Sequence, residues 1–275
     1  MQRNTASNQV GETMNFETLT FKKTGAVATI TLNRPDAANA FNLAMGRDLL
    51  AVANTCASDS SIRAVILTAA GRMFCAGGDV GGFAAADNTG ELLRAITTRL
   101  HSAISRFQRM DAPLIVAVNG VAAGAGMSIA LTGDFVIAAA SAKFTMAYTG
   151  IGLSPDGSST FFLPRLVGPR KAKELMINND VLSADDALAL GLVSRVVAND
   201  ELTTAANELA EKLAAGPTRA YGEVKRLVAD SFNSSLDAQM ERETRAIAEL
   251  ANGTEDAANG IAAFIAKEKV EFKGR

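Results

Sequence analysis

Between positions 26 and 32 the chain reads Ala-Val-Ala-Thr-Ile-Thr-Leu, and apolar and polar residues alternate. That period of two is the pattern of a strand with one buried face. A second extended run at 16–22 precedes it, and Thr24-Gly25 lies between them, so the pair reads as a hairpin closed by Asn33-Arg34-Pro35. The period then changes. Residues 43–56 and 91–110 follow helical spacing, the latter with Leu93, Ile96, Leu100, Ile104 and Phe107 on one face. Short, wholly apolar runs at 64–67, 114–118 and 135–139 have the length and branching of fully buried strands. From Ser158 onward the pattern is mostly helical, with one short extended piece at 192–197.

Strands alternate with helices over the first two-thirds, then helices run to the end. This order predicts an α/β core of repeating β–β–α-like units followed by a helical tail. The boundaries fall at 1–13 for a polar, disordered leader, 14–198 for the core and 199–275 for the helical C-terminal region. Leu202, Leu209, Leu213, Ile247 and Leu250 give the tail an apolar face. A helix cannot bury such a face alone, so the tail should dock on the core or on a neighbouring subunit.

Composition narrows the function. The chain has 275 residues, 48% of them hydrophobic, enough for a full core. A net charge of −2 and the absence of Trp give no electrostatic or stacking basis for binding nucleic acid. No apolar run is long enough to span a bilayer, and the N-terminal residues lack the apolar stretch of a secretory signal. A cytoplasmic location is expected, with Cys56 and Cys75 as free thiols. One His and two widely spaced Cys make no familiar zinc site, and no cofactor is expected.

The candidate chemistry centres on residues 114–134. After the strand come Asn119-Gly120, then Gly124-Ala125-Gly126 leading into an apolar helical segment. Small residues there leave the N–H groups of a helix start uncovered, where they can hold a developing negative charge. The same glycines would also serve simple close packing of helix on strand. A dinucleotide fingerprint fails because Ile129 stands where the third glycine is needed and no acid lies near Met146. Gly126-Met127-Ser128-Ile129-Ala130 approximates a hydrolase elbow, but His101, the sole histidine, precedes Ser128, against the order of that fold. A second small-residue loop, Phe74-Cys75-Ala76-Gly77-Gly78-Asp79, also follows a buried strand. Two such loops could bring two N–H groups to one carbonyl oxygen.

Taken together, Asn33-Arg34-Pro35, Phe74 to Asp79, Ala117 through Gly126, Asp134, Ala142-Lys143-Phe144, Leu163-Pro164-Arg165 with Val167-Gly168, and Gly191-Leu192-Val193 resemble the crotonase (enoyl-CoA hydratase/isomerase) superfamily over roughly residues 15–270. The resemblance implies a spiral of β–β–α turns with a C-terminal helical trimerisation region. It also implies homotrimers or hexamers built as dimers of trimers, and acyl-CoA thioester substrates. Carried onto this chain, the N–H groups of Gly78 and Ala125 would hold a thioester enolate. Ala76 would face the adenine, and Phe264 and Lys267 would meet CoA from a neighbouring subunit.

The resemblance also separates reactions. Hydratases of this family use two glutamates, and Ser128 and Tyr148 occupy those places here. With His101, they are candidates for the acyl pocket. Asp156, in Ile151-Gly152-Leu153-Ser154-Pro155-Asp156-Gly157, matches the catalytic aspartate of dienoyl-CoA isomerases. The run is similar above all to phenylacetate-pathway isomerases. A single acid suits double-bond migration, removing a proton at one carbon and returning it at another. Asp156 can equally be the cap of a helix beginning at Ser158 or Ser159. Three other functions compete: an atypical enoyl-CoA hydratase, a 4-chlorobenzoyl-CoA-dehalogenase-like hydrolase with Asp156 as nucleophile, and an acyl-CoA-binding trimer without turnover.

Overall fold

A computed structural model describes residues 12–275. Strand β1 (Glu12–Asn15) pairs antiparallel with β2 (Leu19–Thr24), setting Glu12 opposite Lys23 and Thr13 opposite Lys22. Glu12 and Thr13, placed within the leader expected over 1–13, belong to the sheet; the other eleven positions of that leader lie outside the described residues. The alternating segment forms β3 (Val27–Leu32), which pairs with β2 as the predicted hairpin and buries Ala28, Ile30 and Leu32. Helix α1 (Leu43–Ser58) starts where the Asn42 side chain accepts a hydrogen bond from the Met45 N–H.

Three turns of one repeating unit follow. Each has a strand in a large sheet, a short strand in a small sheet, and a helical return. The first is β4 (Ala64–Ala69), β5 (Met73–Cys75), then α2 (Val80–Ala84) and α3 (Thr89–Arg109). The second is β6 (Leu114–Val118), β7 (Val121–Ala123) and α4 (Ala125–Ala130). The third is β8 (Phe135–Ala139), β9 (Lys143–Thr145) and α5 (Ser159–Asn178), a helix broken at Gly168, where φ is 78° beside Pro169. Then come β10 (Leu182–Ser183), α6 (Ala184–Ala189) and β11 (Arg195–Val197). The large sheet has the order β1-β2-β3-β4-β6-β8-β11, parallel from β3 onward; the small sheet runs β10-β9-β7-β5, with β5, β7 and β9 parallel.

The tail comprises α7 (Leu202–Ala214), α8 (Thr218–Ser231), α9 (Leu236–Gly253) and α10 (Glu255–Ala266). Helix α7 is a layer of the core: its Leu202, Ala206 and Ala210 pack on Ile66, Ile115 and Ile137 across one face of the large sheet. Helix α8 is anchored by Lys225, whose ammonium lies 2.8 Å from Asp134 and also donates to the carbonyls of Phe107 and Ala112. Burial pushes the Lys225 pKa down and the Asp134 pKa up, each change opposed by the partner's charge. Beyond that anchor, Ile247, Ile261, Phe264 and Ile265 stand exposed on α9 and α10. Among the described residues no helix is long and apolar enough to cross a membrane.

Candidate active site

The ends of β5, β7 and β9 lie side by side, so three loops leave one edge of the small sheet together. They carry Gly78, Ala125 and Tyr148. Ligands of parallel sheets gather at the carboxyl ends of strands for this reason. The three residues line one cavity of about 360 Å³ with Ala76 and Asp156, walled by Phe41, Val80, Phe83, Ile96, Leu100 and Leu153.

Two backbone N–H groups are aimed by fixing the carbonyl of the preceding peptide. The Gly77 carbonyl accepts from the Phe41 N–H at 2.7 Å, and the Asp79 N–H returns a bond to the Phe41 carbonyl at 3.0 Å. A trans peptide directs its N–H opposite its C=O, so the Gly78 N–H points away from Phe41. The Gly124 carbonyl accepts from the Ser128 N–H at 2.9 Å as the first bond of α4. The Ala125 N–H therefore points out of the N-terminal end of α4, where no intrahelical acceptor exists. Neither N–H donates to a protein group among the described residues.

Close approach keeps this wall in place. Gly77 and Gly124 have φ of +108° and +50°, and a Cβ on Gly124 would lie 3.5 Å from the Gly77 Cα. Gly126 fits beneath the Cys75 carbonyl, where a Cβ would come within 2.3 Å of the oxygen. Packing and chemistry are thus both present in the Gly-Ala-Gly segment: Gly126 lets α4 sit down, and Ala125 presents its N–H.

Sequence reading missed the groups that brace the first loop. Asn39, fully buried, accepts from the Arg34 N–H and donates to the carbonyls of Ala70 and Met73. Arg34 reaches the Ala40 carbonyl and Asp79, and Asp79 in turn accepts from the Gly82 N–H at the start of α2. The available signal was Asn39 itself, since Asn tolerates the left-handed φ of 52° found there.

The other wall is built of side chains. The Tyr148 hydroxyl donates to Asp156 Oδ1 at 2.5 Å, and the Ser128 hydroxyl lies 2.8 Å from the same phenol and 3.1 Å from the Gly124 carbonyl. Burial raises the Tyr148 pKa, and the Asp156 charge and hydrogen bond raise it further, so the phenol stays protonated. Asp156 does not cap α5. Its side chain makes no bond to the helix start; only its backbone carbonyl accepts, from the Ser159 N–H and hydroxyl. Gly157 and Ser158, at φ of 59° and 66°, turn the chain sharply after Asp156.

Two pocket assignments are corrected. Ser128 is wholly buried beneath Tyr148 and does not line the cavity. His101 lies behind Asp156, accepts from the Gly157 N–H at 3.2 Å, and faces a separate groove of about 1330 Å³. Phe264 and Lys267, expected to meet CoA from a neighbouring subunit, lie away from this cavity: Phe264 is 86% exposed and Lys267 follows α10 with φ of 57°. Among the described residues no group of three or more His, Cys, Asp or Glu side chains could hold a metal ion.

The family profile described as enoyl-CoA hydratase/isomerase matches residues 22–275. The chain belongs to the enoyl-CoA hydratase/isomerase family. It is 39% identical to a 1,2-epoxyphenylacetyl-CoA isomerase of Escherichia coli K12, over 90% of this chain and 95% of that protein. It is 35% identical to a short-chain-enoyl-CoA hydratase of Clostridium acetobutylicum, over 95% of this chain and 100% of that one. A crystal structure of an enoyl-CoA hydratase from Bacillus anthracis superposes with a TM-score of 0.88 at 31% identity, covering 94% of this chain and all of the other. The three-turn spiral is thus the crotonase fold, and the chain is an acyl-CoA enzyme of the enoyl-CoA hydratase/isomerase family.

Proposed function

We propose that this enzyme is an enoyl-CoA isomerase in which Asp156 is the single acid–base group. The observation that carries the reading is that, among the described residues, Asp156 is the one carboxylate on the cavity that Gly78 and Ala125 line. In a 3-enoyl thioester, Asp156 takes the C2 proton. The electron pair of that bond forms a dienolate whose charge rests on the thioester oxygen, held by the N–H groups of Gly78 and Ala125. Asp156 then gives its proton to C4, and a C2–C3 double bond results. No water and no cofactor enters the balance.

Addition of water needs a group to position and deprotonate the water and a proton donor at carbon. Here the hydroxyls of Ser128 and Tyr148 are engaged with each other and with Asp156. That the E. coli relative is named an isomerase agrees with this assignment. The same reading takes Ala76 as the adenine contact. It assigns the exposed face of α9 and α10, with Phe264 and Lys267, to contacts with a second copy in a trimer or hexamer.

The test is to incubate the purified enzyme with 3-enoyl-CoA esters of several lengths and follow the products by mass. An unchanged mass with a conjugated product is the expected result. Asp156→Asn should lower the rate about 10³-fold, the scale of general acid–base catalysis. A product heavier by one water, or an Asn variant as fast as wild type, overturns the reading.

A further inference from the structure

The two walls of the cavity are joined by one chain of hydroxyls. It runs from the Gly124 carbonyl through Ser128 Oγ and Tyr148 Oη to Asp156 Oδ1, at 3.1, 2.8 and 2.5 Å. Its direction is fixed at one end. An ionised carboxylate only accepts, so the phenol hydrogen is committed to Asp156, and the single Ser128 hydrogen is shared between the Gly124 carbonyl, 3.1 Å away, and the phenol oxygen, 2.8 Å away. The raised Tyr148 pKa keeps that hydrogen in place.

We infer that Tyr148, backed by Ser128, is a positioning residue that holds Asp156 Oδ1 and leaves Oδ2 as the oxygen that exchanges protons with the substrate. Oδ2 has no hydrogen-bond partner among the described residues, and Asp156 lines the cavity. The Asp156 backbone is tied to Ser159 and, through Gly157, to His101, but its side chain has little else to hold it. Asp156 follows Pro155, precedes the left-handed pair Gly157–Ser158, and its side chain makes no cap to α5. Without the phenol the carboxylate could rotate about two side-chain torsions. It also lines the groove on the His101 side, so it has somewhere to turn. The chain carries position as well as orientation. Ser128 touches the carbonyl of the very peptide whose N–H is the Ala125 donor, so base and oxyanion site share one reference point. Gly157 is part of the same fit: a Cβ there would lie 2.8 Å from Ser128 Cβ.

The inference rests on Asp156 being the base, and the experiment separates the two. Proton removal from C2 can be read alone, as exchange of the C2 hydrogens of a saturated acyl-CoA with deuterated water. That step needs no double bond to move: the C–H bond breaks to Asp156, the enolate is held by Gly78 and Ala125, the proton on Asp156 exchanges with solvent for a deuteron, and that deuteron forms a C–D bond at C2. Tyr148→Phe keeps ring volume and removes only the donor. Loss of one hydrogen bond to a charged group predicts an exchange kcat about tenfold lower with KM within about twofold of wild type. Ser128→Ala should lower kcat about threefold in the same pattern, since one neutral bond is lost at one remove. Circular dichroism and thermal unfolding check that each variant is folded. In an Asp156→Asn background, Tyr148→Phe should cost nothing further, because the group it positions is gone. Exchange by both Tyr148→Phe and Ser128→Ala at the wild-type kcat overturns the positioning role. A rise in KM at unchanged kcat overturns it too. Absence of exchange in the wild type overturns the assignment of Asp156 beneath it. Exchange without double-bond movement overturns only the isomerase reading.

Discussion

The two walls of the cavity differ in the material they are made of. One presents backbone N–H groups of Gly78 and Ala125, aimed by carbonyl bonds to Phe41 and within α4. The other presents Asp156, held by side chains. A backbone wall tolerates change in side-chain identity as long as the peptide keeps its place. A side-chain wall can be rebuilt by few substitutions, so it is where one fold can exchange one reaction for another. In this chain Ser128 and Tyr148 stand where the resemblance places two glutamates, and the base we propose is Asp156.

The sharpest way to break this contrast is to remove a donor from the backbone wall while keeping the helix start. Ala125→Pro does so, because proline is accepted at the first position of a helix and lacks the N–H. The rate should fall about 10²- to 10³-fold, with folding preserved. Steady-state kinetics with circular dichroism decides it, and a rate near wild type would remove Ala125 from the oxyanion site.

Gly126→Ala tests the claim that the backbone wall depends on close approach. The added methyl would meet the Cys75 carbonyl oxygen at 2.3 Å and Cys75 Cβ at 2.8 Å, neither of which is a flexible chain end. Overpacking of this kind should cost about 3 kcal/mol in urea unfolding. A loss below about 0.5 kcal/mol, the range of harmless surface changes, would show that α4 can shift freely.

The smallest effect comes from the side-chain wall at alkaline pH. The phenol of Tyr148 titrates above its ordinary value near 10 in the folded chain, through burial and the charge of Asp156. Below that pH both states keep the proton and Tyr148 adds no pH dependence. Above it the unfolded phenol ionises first, so stability falls as pH rises, at most by about 1.4 kcal/mol per unit. Unfolding at pH 9 and 11 should therefore show a steeper loss for wild type than for Tyr148→Phe. Equal slopes would mean that the phenol ionises freely in the native site.

Much of this was legible in the residue pattern. The strands β3, β6 and β8 and the helices α1 and α3 stand within about two residues of where periodicity places them, because each is long enough to show its period. The small sheet was not legible. Its strands hold two or three residues each, too few for any period, and they exist only because the larger sheet beneath sets them side by side. The glycine loops and Asp156 could be picked out by type and by resemblance. The hydrogen bond from Tyr148 could not, since it depends on the tight turn over Thr149–Ile151 and the left-handed Gly152, which fold the chain back over eight residues.

By itself, then, the sequence determined the family, the alternation of strands and helices, the two small-residue loops and Asp156 as the candidate acid. These are local properties of residue type and spacing. Only the tertiary structure decided that Ser128 lies under the pocket, that His101 faces a different groove, and that Tyr148 grips Asp156. The first two are contacts between separate turns of the spiral and the third is a bend within one connection, all set by backbone dihedrals and packing that no local pattern encodes.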